Sequence, residues 1–229
     1  MDIAFINQSS LIDDGEVSSI AEACAVQLKD HVAGAWNIQN PLAVTTSLGA
    51  DSFPFYFVDD IPEAPGALAY HDVDKNGVPY GKIGVGTTLN ANESVSSAAS
   101  HEAVELQCDI YCASWSFSGR LHSLVATEAC DPVQSDTYKI PVSGASVLVS
   151  NFVTPYYFTD IPGDQSLDYL GTLKESFGMS SGGYQIRMTA GKVTNSWGAD
   201  VPPAVRAGKE KSHGRTFWRH VEIALALSS

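Results

Sequence analysis

The sequence predicts an α+β fold with two helices, a run of short strands between them and a β-rich, loop-rich C-terminal part. Three observations support this. A helix-period apolar pattern covers 14–34, a series of short β-branched and aromatic runs with an Asn-Gly turn follows, and a second amphipathic helix covers about 95–109. The 229 residues suit one large domain. We expect a single domain over 1–229, with a core over about 14–135 and an irregular β-rich extension over about 136–229.

The first helix has Asp13 or Asp14 as its cap and Val17, Ile20, Ala21, Ala23, Cys24, Val26 and Leu28 as its apolar positions, with Gly34 as its stop. Strands are expected at Leu42–Leu48 and Phe53–Val58, where Pro54 suggests an edge strand or a strand start. Two further runs, Ala67–Val73 and Val78–Gly86, flank Asp74-Lys75-Asn76-Gly77, a strong hairpin signal. The same stretch begins like a calcium loop, Asp72-x-Asp74-x-Asn76-Gly77. It has Ile83 where the twelfth-position Glu belongs, so it reads as a turn.

In the second helix, Asn92 or Ser94 is the cap. At about 100° per residue, His101, Glu105, Asp109 and Glu102 share an arc of about 100°, and Ala99, Ala103, Leu106 and Ile110 lie opposite. Beyond it, Leu121–Cys130 reads as a short helix and Tyr138–Ile140, Val147–Phe158 and Tyr184–Met188 as strands. Residues 189–216 read as loop, and Phe217–Leu227 as a strand or short helix.

Net charge is −13, and all of it falls within residues 1–110, because 111–229 are neutral. This acidic half argues against nucleic-acid binding, which needs phosphate-neutralising Lys and Arg. It suits a divalent cation or a basic partner. The basic tail (Arg206, Lys209, Lys211, Arg215 and Arg219, with Phe217 and Trp218) is expected to dock on this acidic half or on another subunit. No apolar run reaches the ~18 residues that span a bilayer, and Met1-Asp2-Ile3-Ala4 lacks the basic start of a signal peptide. Cys24, Cys108, Cys112 and Cys130 form no Cys-x-x-Cys pair and are expected to be buried free thiols.

A helix sets residues i and i+4 one turn apart on one face, so His101 and Glu105 can chelate one cation. Glu102 would then be the base that takes a proton from the attacking water. The third ligand is Asp109, one turn on, or Glu128 or Asp131 in Thr127-Glu128-Ala129-Cys130-Asp131-Pro132. His71 reads as a structural histidine on a strand, and His122, His213 and His220 have no partner motif. No Gly-x-Ser-x-Gly or Gly-x-x-x-x-Gly-Lys motif is present.

The order helix, strand, strand, hairpin, His-Glu helix over 14–109 resembles the N-terminal half of the zincin metallopeptidases. The stretches Ser100-His101-Glu102 through Asp109, Glu128–Pro132, Val149–Pro155 and Gly182-Gly183-Tyr184 also resemble phage and prophage proteins with a His-Glu-x-x-Glu helix. The first resemblance implies a zincin-like mixed sheet with a backing helix and an active-site helix, zinc and peptide hydrolysis. By its gluzincin branch, Glu128 would be the distal ligand and Asp131 its supporting partner. The second implies a virion component, with other phage structural proteins or further copies of this chain as partners and the virion or host cytoplasm as location. In that role Tyr156-Tyr157-Phe158 would pack between subunits. Zincins carry His where this chain has Glu105. A site of His101, Glu105 and one more acid carries two negative charges, suits harder ions and weakens zinc as a Lewis acid. Metal binding and catalysis are therefore separate expectations.

Overall fold

A computed structural model describes residues 1–201 and Arg206. The chain is mixed α+β. Its main sheet has five strands in the order β2-β1-β3-β5-β4. Strand β1 (Asp2–Asn7) pairs in parallel with both β2 (Ala43–Thr45) and β3 (Ser52–Val58). In turn β3 pairs in parallel with β5 (Pro79–Gly84), and β4 (Ala69–Val73) closes the edge antiparallel to β5. Sequence reading does not anticipate β1. Its consecutive buried residues Ile3, Ala4 and Phe5 are covered on both faces, so it has no alternation to detect.

Strand β3 does alternate, burying Phe53, Phe55 and Phe57. Phe5 meets Phe55 at 5.9 Å and Phe57 at 5.3 Å between ring centroids. The edge position suggested by Pro54 is corrected, since β3 is internal. Pro54 fits because β5 joins β3 only from Phe55 onward, leaving that side of the strand open at the proline. The expected hairpin is present. Asp74 N donates to Val78 O at 2.9 Å, and Gly77 takes the left-handed φ of 81° that the turn needs.

Helix α1 (Asp14–Val26) starts at Asp13, whose Oδ1 accepts from Glu16 N at 2.8 Å. The same helix widens into a π-turn segment over Gln27–Val32 and ends as α2 (Ala33–Trp36). Gly34 is not the stop, because it lies within α2. Asn37, at φ 54°, supplies the left-handed cap. A short α3 (Val85–Asn90) leads to α4 (Val95–Cys108), which is capped by Ser94 and followed by Asp109. Helices α1 and α4 lie side by side on the sheet, α1 toward β1 and β2, α4 toward β4 and β5. No helix among the described residues is long and apolar enough to cross a membrane.

The later chain adds a four-stranded sheet, order β11-β10-β7-β6. It comprises β6 (Trp115–Ser118), β7 (Ser123–Ala126), β10 (Tyr184–Thr189) and β11 (Lys192–Trp197). A separate hairpin joins β8 (Thr137–Val142) to β9 (Ala145–Ser150). The short helix expected at 121–130 is instead β7 and a turn, because Leu124 and Val125 pair with both β6 and β10. The loop expected over 189–216 contains β11, joined to β10 by Ala190 and Gly191, both at positive φ.

The strand expected over 147–158 stops at Ser150, and Pro155–Phe158 forms a 3₁₀ turn. Tyr157 is fully buried against Phe158 and Phe177, so it belongs to this chain's own core. The expectations for Phe217–Leu227 and for tail residues beyond Arg206 lie outside the described residues. All four cysteines are free thiols, with Cys24 and Cys130 buried and Cys108 and Cys112 partly so. The largest hydrophobic cluster runs from Ile3 to Phe152, so early strands and later connections share one core.

Candidate metal centre

Helix α4 is enclosed on all sides. Ala99, Ala103, Val104 and Leu106 have no exposed surface, and on the polar side Glu102 is 7% exposed and Glu105 only 3%. A solvated acidic face is thereby ruled out, because these carboxylates point into the protein. Two serines of α4 fix the later chain to the helix. Ser96 Oγ donates to Leu148 O at 2.7 Å, and Ser100 Oγ accepts from Ser150 N at 2.8 Å.

Glu105 lies between three segments. Its Oε1 accepts from the backbone N–H of Cys130 at 3.0 Å and of Asp131 at 3.3 Å. Its Oε2 lies 3.3 Å from His101 Nε2 and 3.8 Å from His71 Nδ1. Asp131, at the start of a 3₁₀ turn, places Oδ1 3.2 Å from His101 Nε2. Tyr184, the first residue of β10, also hydrogen-bonds Asp131. Val153 N donates to Ala129 O at 2.7 Å, which holds the segment carrying Glu128.

His71, read from the sequence as a structural histidine on a strand, lies on a strand and packs against the cluster. Edge strand β4 carries it over α4, and its Nδ1 lies 2.8 Å from Glu102 Oε2. Its side chain is 5% exposed, and no hydrogen bond of normal geometry reaches Nε2, although the Cys112 thiol lies beside the ring. The residue pattern offers one faint signal for it, a histidine on the hairpin strand preceding the His-Glu helix. Nothing in the spacing of 71 and 102 specifies a contact.

Asp109 has another job. Its Oδ2 accepts from Ser114 N at 2.7 Å and its Oδ1 from Ser114 Oγ at 3.0 Å, closing the turn after α4. The residues that come together are His71, His101, Glu102, Glu105, Glu128 and Asp131. Within them, His101, Glu102 and Glu105 form one group and His71, Glu105 and Glu128 another. In each, one ligand atom per residue lies within 4.8 Å of the others. Either group can hold a metal ion.

The electrostatics reflect this crowding. Burial alone lowers the pKa of His101, but Glu105 and Asp131 outweigh it and raise it well above the ordinary histidine range. His71 is lowered by burial and raised further by Cys112 and Glu102, with the same net direction. Burial, followed by repulsion from Glu105, pushes the Glu128 carboxyl well above its usual range. Burial also raises the Cys108 and Cys112 thiols, so they are held neutral. The centre is thus a buried, acid-rich pocket with imidazoles on two sides, a donor set suited to divalent cations. No protein-family model, curated protein or solved structure matches this chain.

Proposed function

We propose that this chain is a phage-associated metal-dependent hydrolase, a peptidase, built on a zincin-like fold. The observation that carries the reading is the convergence of His101, Glu105 and Asp131, with Glu102 one residue from His101 and held by His71. The mixed sheet, the backing helix α1 and the buried His-Glu helix α4 support the zincin resemblance. His101 and Glu105 are the expected ligands. Asp131, at 3.2 Å from His101, is favoured as third ligand over Glu128, the ligand expected from the sequence, which groups instead with His71 and Glu105, and over Asp109, whose oxygens hold Ser114.

Zinc at this position would polarise the scissile carbonyl and acidify the attacking water. Glu102 accepts the proton of that water and later passes it to the leaving amine. His71 orients the Glu102 carboxylate through Nδ1. The acid-rich ligand set makes zinc a weaker Lewis acid than a set of neutral imidazoles would. That feature favours a second reading, a non-catalytic structural or binding component of a phage particle on the same fold.

Glu102→Gln separates the two. Metal content is measured together with cleavage of a fluorogenic peptide library by the metal-loaded protein. Cleavage lost with metal retained supports the hydrolase. Cleavage by neither protein, with particles assembling normally from the variant, supports the structural reading.

A further inference from the structure

His71, Glu105 and Glu128 form a second three-residue group, and Glu128 has no role in the one-metal centre. We propose that the pocket takes two divalent cations, with Glu105 as the carboxylate they share. One cation lies at His101 and Glu105 beside Asp131, and the second at His71, Glu105 and Glu128. The first position rests on the proposed single-metal centre, whereas the second is new.

Three observations carry it. Glu105 belongs to both three-residue groups, with His101 and Glu102 in one and His71 and Glu128 in the other, and in each the ligand atoms lie within 4.8 Å of one another; Asp131 joins the first through its 3.2 Å contact with His101. Glu105 Oε2 faces both histidines, and a single carboxylate oxygen with two lone pairs can bridge two cations in a way that an imidazole nitrogen cannot. Next, His71 is buried on the sheet side of α4, and its Nε2 has no hydrogen bond of normal geometry among the described residues, with only the Cys112 thiol, a weak donor, beside the ring. A buried polar nitrogen in that state carries a desolvation cost that a ligand removes.

The third observation is charge. Glu102, Glu105, Glu128 and Asp131 bring four carboxylates into one enclosed space, and the ion pairs seen for Glu102, Glu105 and Asp131 are with His71 and His101. A histidine that binds a cation is neutral and no longer offsets an acid. With both histidines bound as neutral ligands, two divalent cations balance all four carboxylates. Mixed imidazole and carboxylate donors suit manganese, iron or zinc in paired sites.

The test is metal titration of the full chain after chelator stripping, with Mn²⁺ as the probe. Bound metal is counted by elemental analysis, and the spectrum is read by low-temperature EPR. Two Mn²⁺ per chain with an exchange-coupled spectrum are expected. His71→Ala and Glu128→Gln should each reduce this to one, with the six-line spectrum of an isolated ion. One ion per chain in the wild type, lost in His101→Ala but not in His71→Ala, overturns the second position and leaves the single-metal reading standing. No bound ion overturns both. Two uncoupled ions, or two that survive both His71→Ala and Glu128→Gln, also overturn the proposal. If a variant fails to fold, the wild-type count and coupling decide.

Discussion

Glu105 accepts the backbone N–H of Cys130 at 3.0 Å, a contact that spans 25 residues and joins the site helix to the segment bearing Glu128 and Asp131. One carboxylate therefore serves two purposes. Its Oε1 organises the backbone of the later ligands, and its Oε2 faces the two histidines. Anchoring and metal binding can be separated by substitution.

Glu105→Ala in the metal-free protein leaves the Cys130 and Asp131 N–H groups unsatisfied, at a cost of about 1–3 kcal/mol. Glu105→Gln keeps an acceptor at that position and removes a charge from the cluster, so it should cost much less. Urea unfolding of both variants without metal checks this, and equal losses would show that the anchoring contact has no energetic weight.

Gln107 is the second link from α4 to its surroundings. Its Oε1 accepts from Leu42 N at 2.9 Å, and its Nε2 donates to Leu28 O at 3.0 Å within the π-turn segment. Gln107→Leu fills similar space but strands Leu42 N, whereas Leu28 O keeps the N–H of Ala33, so the expected loss is roughly 1–3 kcal/mol. The denaturation midpoint should fall with an unchanged m-value. A wild-type midpoint would show that the Leu42 N–H finds water instead.

Two glycine substitutions should act in opposite directions. A Cβ on Gly183 would lie 2.1 Å from Pro132 O, so Gly183→Ala must displace the turn that begins at Asp131. A loss of about 1–3 kcal/mol and weaker metal binding are expected. Gly34 lies in α2 with nothing within 4 Å of the place a methyl group would occupy, so Gly34→Ala should stabilise by about 0.5–1 kcal/mol. Thermal melts and metal titration of both proteins test the pair.

The acid limb of stability has an identifiable contributor in Glu63. Burial raises its pKa, but hydrogen bonds from Lys82 and Tyr70 outweigh that and bring it down to about 2 from 4.5. A carboxyl depressed in the folded state contributes stability that is present above its unfolded pKa and is lost as pH falls through the folded value. Glu63→Gln should therefore flatten the stability profile between about pH 4.5 and pH 2 and leave the carboxylate-independent slopes unchanged. An unchanged profile in that window would assign the acid sensitivity to other groups.

Several parts of the fold are legible in the residues because their causes are local. Asp74-Lys75-Asn76-Gly77 forms its hairpin because Gly77 relieves a backbone requirement within the turn itself. Asp13 and Ser94 cap their helices through N–H groups three residues on. The alternation of Phe53, Phe55 and Phe57 likewise shows through. What escapes notice depends on distant partners. Strand β1 is defined by β2 and β3 on its two sides. Strand β7 is defined by β6 and β10, the latter some sixty residues away.

The centre divides in the same way. Helical periodicity by itself brings His101, Glu102 and Glu105 together, since one turn of α-helix fixes their spacing. Whether that face meets water or the interior is decided by the strands and turns that close over it. Only the tertiary structure carries His71 across from β4, places Asp131 against His101 and turns Asp109 aside to hold Ser114. These contacts join residues far apart in the chain, so their energetics depend on sheet register and core packing, which no local pattern encodes.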